Sequence, residues 1–277
     1  MSGSSSGVRF LYGTVPGRVL LDLIQKTRAE RLFVRLLRSG LSRALVPYYA
    51  KTLRIPDSEW RGKDFASCRE LFVRKRDDIT VDMTPDRLVS PCDGWLSVFP
   101  IEADSSFAIK HSHYRIADLL DDASLAERYR GGTCMVFRLC ASDYHRYCYI
   151  DDGTQGENHF IPGELHSVQP IVLERYPVFT LNRRSWCAMD TAHFGTVVQT
   201  EIGALVVGGI VNHRSDCAVR RGEEKGHFDL AGSTITLLFE PGRVTLREEL
   251  RRALEVCEEV RVELGQWIGN GVQACAN

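Results

Sequence analysis

The sequence predicts an α+β fold: a β-rich core of short, mainly antiparallel strands, capped by helices at the N-terminus. Two observations predict it. Beyond Leu88, short apolar runs recur with Gly, Pro and Asp between many of them, the texture of strands and turns. Before Leu88, apolar residues recur instead at helical spacing. A third observation bounds the size. A chain of 277 residues that is 44% hydrophobic can bury one sizeable core, or one core and an appendage.

Taken in order, Pro16 to Tyr49 reads as two or three helices. Val19, Leu20, Leu23 and Ile24 share one face, and Leu32, Phe33, Leu36 and Leu37 continue it. Gly40 breaks the pattern, and Leu41, Leu45, Val46 and Tyr49 resume it. The opposite faces are basic: between Arg18 and Arg54 only Asp22 and Glu30 oppose a run of Lys and Arg. Such a surface suits an anionic membrane as well as it suits packing on a core. Ile55 to Glu59 is a turn with a capping signal, Phe65 to Arg74 a short helix, and Lys75 to Arg87 a connector. Leu88 to Val98 reads strand, turn, strand. Further strands are expected at 107–110, 133–139, 147–150, 156–161, 185–189, 194–201, 204–211 and 233–239, and helices at 116–129 and 246–264. The division this implies is a basic helical segment, 1–64, and a core, 65–277.

Several function classes lose support at once. Lys+Arg 35 against Asp+Glu 36 leaves no global field for nucleic acid. The nine cysteines are odd in number and form no C-x-x-C pair, which favours a reduced setting and gives zinc no paired ligand spacing. Gly203, Gly208 and Gly209 lie in strand-like sequence and do not open a helix, so a nucleotide loop is rejected. No apolar stretch is long enough to span a bilayer, and MSGSSSGVRF lacks a secretory core.

Five stretches carry candidate chemistry. In Gly232-Ser233-Thr234 a Ser follows a Gly and precedes a rigid apolar strand, so its hydroxyl is held beside an unhindered carbonyl. That arrangement suits chemistry on the chain's own backbone, but on the tripeptide alone a bulge or tight turn is the reading to prefer. Asp93 lies in the turn Pro91-Cys92-Asp93-Gly94. His145 lies in the polar run Asp143-Tyr144-His145-Arg146, where an imidazole can serve as acid or base. His166 and Ser167 lie in FIPGELHSVQP, a strand-turn-strand composition that brings backbone close to a ligand. Asn182-Arg183-Arg184 offers guanidinium groups for a carboxylate or phosphate, or else a solvated loop.

Seven motifs stand in one order: SPCDG at Ser90–Gly94, DYHRY at Asp143–Tyr147, PGELHSVQP at Pro162–Pro170, LNRR at Leu181–Arg184, DTAHFG at Asp190–Gly195, EIGALVVGGI at Glu201–Ile210 and GEEKGHFDLAGST at Gly222–Thr234. In these the chain resembles the phosphatidylserine decarboxylase family over roughly Phe65 to Glu249. The resemblance implies self-cleavage: Ser233 Oγ attacks the Gly232 carbonyl to give an ester. Elimination and hydrolysis, with loss of ammonia, then turn residue 233 into a pyruvoyl group (the cofactor is thus pyruvate, made from Ser233). The precursor would become a β chain, 1–232, and an α chain, 233–277, of the same parent. The pyruvoyl group then forms a Schiff base with phosphatidylserine, carbon dioxide leaves, and His145 is the implied proton donor. His166 and Ser167 are the implied substrate contacts.

One position departs from the family. Its members usually carry a second His three residues after the first, which joins Asp93 and Ser233 in an Asp-His-Ser relay. Here Cys148 stands there. Either His145 serves both steps, or Cys148 acts as base in an environment that lowers its pKa, or the chain stays uncleaved as a non-catalytic membrane-binding relative. A pyruvoyl decarboxylase of a soluble amino acid is the alternative activity. The resemblance implies no metal and no nucleic acid, an anionic membrane surface as partner, peripheral attachment on the cytoplasmic side, and is compatible with a homodimer.

Overall fold

The structure, a computed structural model, describes residues 6–27, 30–109, 112–173, 176–204, 209–230 and 233–272. Helices come first: α1 (Ser6–Gly13), α2 (Val15–Thr27), α3 (Glu30–Arg38), a 3₁₀ segment (Gly40–Leu45), α4 (Val46–Leu53), α5 (Asp57–Trp60) and α6 (Cys68–Phe72). Local sequence explains their ends. Pro47 sits in the first turn of α4, where a missing N–H costs nothing, and Arg54 closes that helix in the left-handed region. Ser67 Oγ caps α6 by accepting from Glu70 N at 3.2 Å. Leu37, Val46, Ala50, Trp60, Phe65, Leu71 and Phe72 bury together as the core of this cap, and Leu230 from the far end of the chain joins them. Helix α1 packs elsewhere, with Val8 and Tyr12 in a cluster shared with the main sheet.

The β-rich part runs β1 (Arg87–Val89), β2 (Gly94–Pro100), β3 (Ser106–Ile109), β4 (Ser112–Arg115), α7 (Ile116–Leu120), α8 (Ala123–Glu127), β5 (Thr133–Leu139), β6 (Arg146–Cys148), β7 (Gly153–Gln155) and β8 (His159–Ile161). It continues with α9 (Pro170–Leu173), α10 (Val178–Leu181), β9 (Arg184–Thr191), β10 (Gly195–Ile202), β11 (Gly209–Asn212), β12 (Cys217–Val219), β13 (Glu224–Asp229) and β14 (Ser233–Phe239). Last come β15 (Val244–Leu246), α11 (Glu248–Val256), β16 (Val260–Val262) and β17 (Trp267–Gly271). A nine-stranded sheet has the order β12-β7-β9-β10-β14-β5-β2-β16, with β8 also on β9; β11-β13-β6 form a second sheet. All strand pairs are antiparallel. This is the α+β architecture that the two textures predict.

Alternation along β14 places the two cores. Ile235, Leu237 and Phe239 face one way and bury with Tyr147 and Phe228 of the second sheet. Leu238 faces the other way and buries with Val136, Val198 and Tyr12. Two helices expected from the sequence are shorter than expected. Residues 116–129 divide because Asp121 adopts φ 55 at the end of α7 and the Asp122 side chain caps α8, accepting from Leu125 N. Residues 246–264 hold α11 and then a strand, because Val260 and Val262 alternate with Arg261 and pair with β2. In the expected strand 204–211, residues 205–208 lie outside the described residues.

The two sheets are joined through a buried charge pair. Lys225 Nζ on β13 donates to Glu201 Oε1 on β10 at 2.8 Å and to Asn212 Oδ1 at 3.0 Å, with both charged side chains fully buried. Next to it, Gly226 admits no side chain: a Cβ there would meet Val211 O at 2.2 Å and Tyr147 Oη at 2.7 Å. Removing one member of such a pair strands a charge in the core. Lys225→Met in an uncleavable Ser233→Ala background is expected to lose roughly 3–5 kcal/mol by urea unfolding. The double change with Glu201→Met should recover part of that loss. Equal losses in single and double variants would contradict this account.

Candidate active site

The site is built at one end of the nine-stranded sheet. Ser233, the first residue of β14, pairs with Leu139, the last of β5. On the other edge Thr234 pairs with Ile202, the last of β10, which sets Gly203 beside Ser233. Beyond β5, Trp95 pairs with Arg138, which sets Gly94 beside Leu139. The row therefore reads Gly203, Ser233, Leu139, Gly94, each about 4.8 Å from the next. Each strand leaves this row in a motif. Asp93 precedes Gly94, and the loop after Leu139 carries Asp143 and His145. Gly203 O accepts from Asn182 Nδ2 at 2.7 Å, the same amide that donates to His166 O. Gly94 is needed because a Cβ would sit 3.0 Å from Arg138 O.

Ser233 is wholly buried, and among the described residues its Oγ has no hydrogen-bond partner. Gly232, the other half of the expected cleavage junction, lies outside the described residues. His145 is also wholly buried, its ring against Phe72 at 4.1 Å between centroids. Its Nδ1 lies 2.9 Å from Asp143 O. A carbonyl only accepts, so Nδ1 carries the proton and Nε2 presents a lone pair. That Nε2 has no partner among the described residues. Burial is the main force lowering the His145 pKa to about 4, with the nearby Asp143 opposing it. The imidazole is therefore neutral at pH 7. Its backbone is tied to the segment leading to Ser233, since His145 O accepts from Phe228 N at 2.8 Å, five residues before Ser233.

Asp93 and Cys148 do not join it in a hydrogen-bonded relay. Asp93 Oδ1 accepts from Leu264 N at 2.8 Å and Oδ2 from Arg76 Nη1 at 3.1 Å. Burial raises its pKa, against those two partners. Cys148 packs with Tyr144 and Leu264. Burial pushes its thiol up to about 12. A thiolate base needs the opposite environment, so that condition on Cys148 is not met.

His166 Nε2 donates to Glu164 Oε2 at 2.6 Å, and Tyr12 Oη of α1 lies 3.4 Å from its Nδ1. Ser167 N donates to the same Tyr12 Oη at 3.0 Å. Both expected substrate contacts are thus held by α1. Arg184 is neither ligand-facing nor solvated, correcting both readings of that arginine. It is buried, and its donors go to the carbonyls of Asp118, Leu119, Thr180 and Asn182. Two of those four carbonyls belong to α7. Sequence reasoning named Asn182 only beside its two arginines, and it passed over Arg76. A buried Asn that ties the His166 loop to Gly203 leaves no local signal, whereas Arg76 beside Asp77 and Asp78 reads as solvated charge. Elsewhere, His213, Glu224 and His227 bring ligand atoms within 4.8 Å of one another. Glu224 Oε1 is already 2.6 Å from Arg146 Nη1, and Arg146 is anchored on Val73 O, so a cation would compete with a fixed guanidinium.

Comparison with known proteins agrees with the motif order. The family model described as phosphatidylserine decarboxylase matches residues 68–270. The chain is 37% identical over 266 residues to a phosphatidylserine decarboxylase proenzyme 2 of Clostridium acetobutylicum, covering 95% of this chain and 91% of that one. It is 32% identical over 271 residues to a phosphatidylserine decarboxylase proenzyme of Clostridium perfringens, covering 95% and 92%. A proenzyme of that name from Desulfitobacterium hafniense is 32% identical over 270 residues, covering 95% and 91%.

The buried His145 gives a pH signature. Its folded pKa lies below the ordinary value, so as pH falls past about 6.5 the unfolded chain binds a proton that the folded chain refuses. Stability is lost from there down to about pH 4, where the folded form also titrates. In urea unfolding of the Ser233→Ala chain between pH 8 and pH 4, His145→Gln should remove on the order of 2–3 kcal/mol of this fall. Parallel curves for parent and variant would refute the buried neutral imidazole.

Proposed function

We propose that this chain, which belongs to the phosphatidylserine decarboxylase family, cleaves itself between Gly232 and Ser233 and then decarboxylates phosphatidylserine to phosphatidylethanolamine and carbon dioxide. One observation carries the reading. At a single end of the sheet, a buried hydroxyl and a buried imidazole nitrogen are both without partners among the described residues, on segments that neighbouring strands fix.

In the precursor, Asp143 O keeps the proton on His145 Nδ1, so Nε2 is the free base. In this reading Nε2 takes the proton of Ser233 Oγ. The Oγ–C bond forms at the carbonyl of residue 232, the C–N bond breaks, and the proton passes to the freed amine. Burial serves the step by keeping the imidazole neutral and water out. Asp93, held by Arg76 and Leu264, lies two strands from Ser233 and braces this end of the sheet rather than contacting Ser233. Cys148 is a packing residue, and His145 serves where the family's second His would. Position 233 fits a pyruvoyl group, since the only polar atom of its side chain is without a partner among the described residues. When present, that group condenses with an amine and accepts the electron pair that decarboxylation releases. His145 Nε2, once protonated, is the acid that returns a proton to carbon. The two chains stay together because β14 remains paired along both edges, with β5 and with β10.

The substrate reading rests on the named relatives and on the cap. No helix among the described residues is long and apolar enough to cross a membrane. The cap nevertheless exposes large apolar side chains: Leu32 and Tyr48 are each 73% exposed, Leu41 is 81% exposed, and Phe33 and Leu45 are close to half. Arg35, Lys51 and Arg54 are exposed on the same helices. An apolar patch rimmed by cations is the surface that sits on anionic lipid, peripherally. A soluble amino acid would need no such face.

Intact mass tests the first claim. Wild type should give two chains, 1–232 and 233–277, the second carrying a hydrazine-reactive carbonyl, while Ser233→Ala stays whole. Cys148→Ala should still cleave, and His145→Gln should slow cleavage by on the order of 10²-fold or more. A wild-type chain that stays whole, or a Cys148→Ala chain that does, overturns the assignment. Flotation tests the second: the chain should rise with phosphatidylserine-containing vesicles at low salt, and Leu32→Ser with Leu41→Ser should weaken this. Failure to float points to a soluble substrate.

A further inference from the structure

The chain enters the cleavage junction through a bend that the N-terminal cap holds. Asp229 ends β13, and its carboxylate is buried. It accepts from Arg69 Nε of α6 at 2.9 and 3.0 Å, and from Arg38 Nη2 of α3 at 2.7 Å. The next residue, Leu230, has φ 58. The other described non-glycine residues in that region are Arg54, Asp86, Ser105, Asp121 and Asp216, all polar. Short polar side chains offset the left-handed cost with local hydrogen bonds; leucine has none to make. Its side chain is instead wholly buried in the cap core with Leu37, Leu71 and Phe72. Strained backbone persists only where its surroundings over-determine it. Here those surroundings are the two arginines and the apolar core of the cap. On the flank, a Cβ at Gly209 would come 2.7 Å from Asp229 Cβ, so β11 also closes on this residue.

We infer that Arg38, Arg69 and Leu230 form a clamp by which the N-terminal cap sets the path of the chain into the 232–233 bond, and that they are positioning residues for self-cleavage. The inference rests on the self-cleavage reading. Attack on one carbonyl requires both partners to be held. Strand β14 fixes Ser233 from downstream. The chain reaches the junction from Leu230, and only two residues separate Leu230 from Ser233, so the path at Leu230 bears directly on the 232–233 bond. A misplacement there by about 1 Å is enough to cost a large factor in rate. Once the bond is broken, residues 230–232 end the β chain, and the clamp has no further bond to align. Its contribution therefore falls on maturation rather than on turnover.

The test follows precursor conversion during cell-free synthesis of the full chain, by gel and intact mass. Asp229→Asn keeps shape and removes the charge both arginines grip, and Arg69→Gln removes one grip. Each is expected to slow cleavage on the order of 10- to 100-fold. Arg69→Lys, which keeps the charge, should restore most of the rate. The thermal midpoint of each variant, measured in the Ser233→Ala background well above the assay temperature, should move little. Decarboxylation per cleaved Arg69→Gln chain should match wild type. Cleavage of Asp229→Asn and Arg69→Gln at the wild-type rate overturns the clamp. So does a loss of turnover per cleaved chain as large as the loss of cleavage rate. A wild-type chain that never splits overturns the cleavage reading itself, a result distinct from either.

Discussion

Pairing of β14 on both edges is the constraint on which the rest of the site depends. A serine that attacks its own backbone has to meet one carbonyl and no other. Here the strand lies between β5 and β10, with seven and five residues in register. Every residue of it is buried. A slip of one residue would turn Ser233 to the opposite face and expose the apolar set to the wrong core, so the register is strongly specified. The same register decides the neighbours. Gly203 and Leu139 flank Ser233; the loop after Leu139 carries Asp143 and His145, and Gly203 O holds the Asn182 amide that also reaches His166. Motifs spread over half the chain converge because three strands stop in the same row.

The electrostatics of that end are set by desolvation more than by ion pairs. Burial raises Cys92, Asp93 and Cys148 and lowers His145, so all four move towards their neutral forms. The consequence differs by residue type. A neutral imidazole is a competent base, whereas a neutral thiol is not. On the proposed reading this is why a chain with Cys148 in place of a second histidine can still carry a base. The thiol fills space beside Tyr144 and Leu264. The lone pair sits on His145, placed there by a carbonyl rather than by a carboxylate.

Much of this was legible in the sequence, and the illegible part has a common cause. The strand at 233–239 could be read because its apolar run is uninterrupted, and the cap because its periodicity is helical. Ser233 stood out because a glycine precedes it and a rigid strand follows. What could not be read was partnership across long separations. Arg184 looked like a solvated or anion-binding residue because nothing local says that the carbonyls ending α7 lie against it. The stretch 258–262 carries enough charge to pass for the polar face of a helix, until β2 offers Val260 and Val262 an edge. Leu230 looked like any apolar residue in a glycine-rich run. Its backbone angle is set by the cap, from nearly 160 residues away in the chain, and no local pattern encodes that.

The cap therefore has two attachments to the site as well as its own outward face. Tyr12 of α1 holds His166 and Ser167 on one side of the main sheet. Arg38 of α3, with Arg69, holds Asp229 on the approach to Ser233. Both helices belong to the segment whose remaining surface is apolar and cationic. Arg38 stands at the junction: about half of its side chain is exposed, while its terminal nitrogen grips a buried carboxylate. A helix used in this way cannot be displaced by a surface without loosening the bend at Leu230. On the proposed reading docking and site geometry are parts of one mechanical unit, with the outer face of the amphipathic segment offered to lipid and its inner face holding the approach to Ser233.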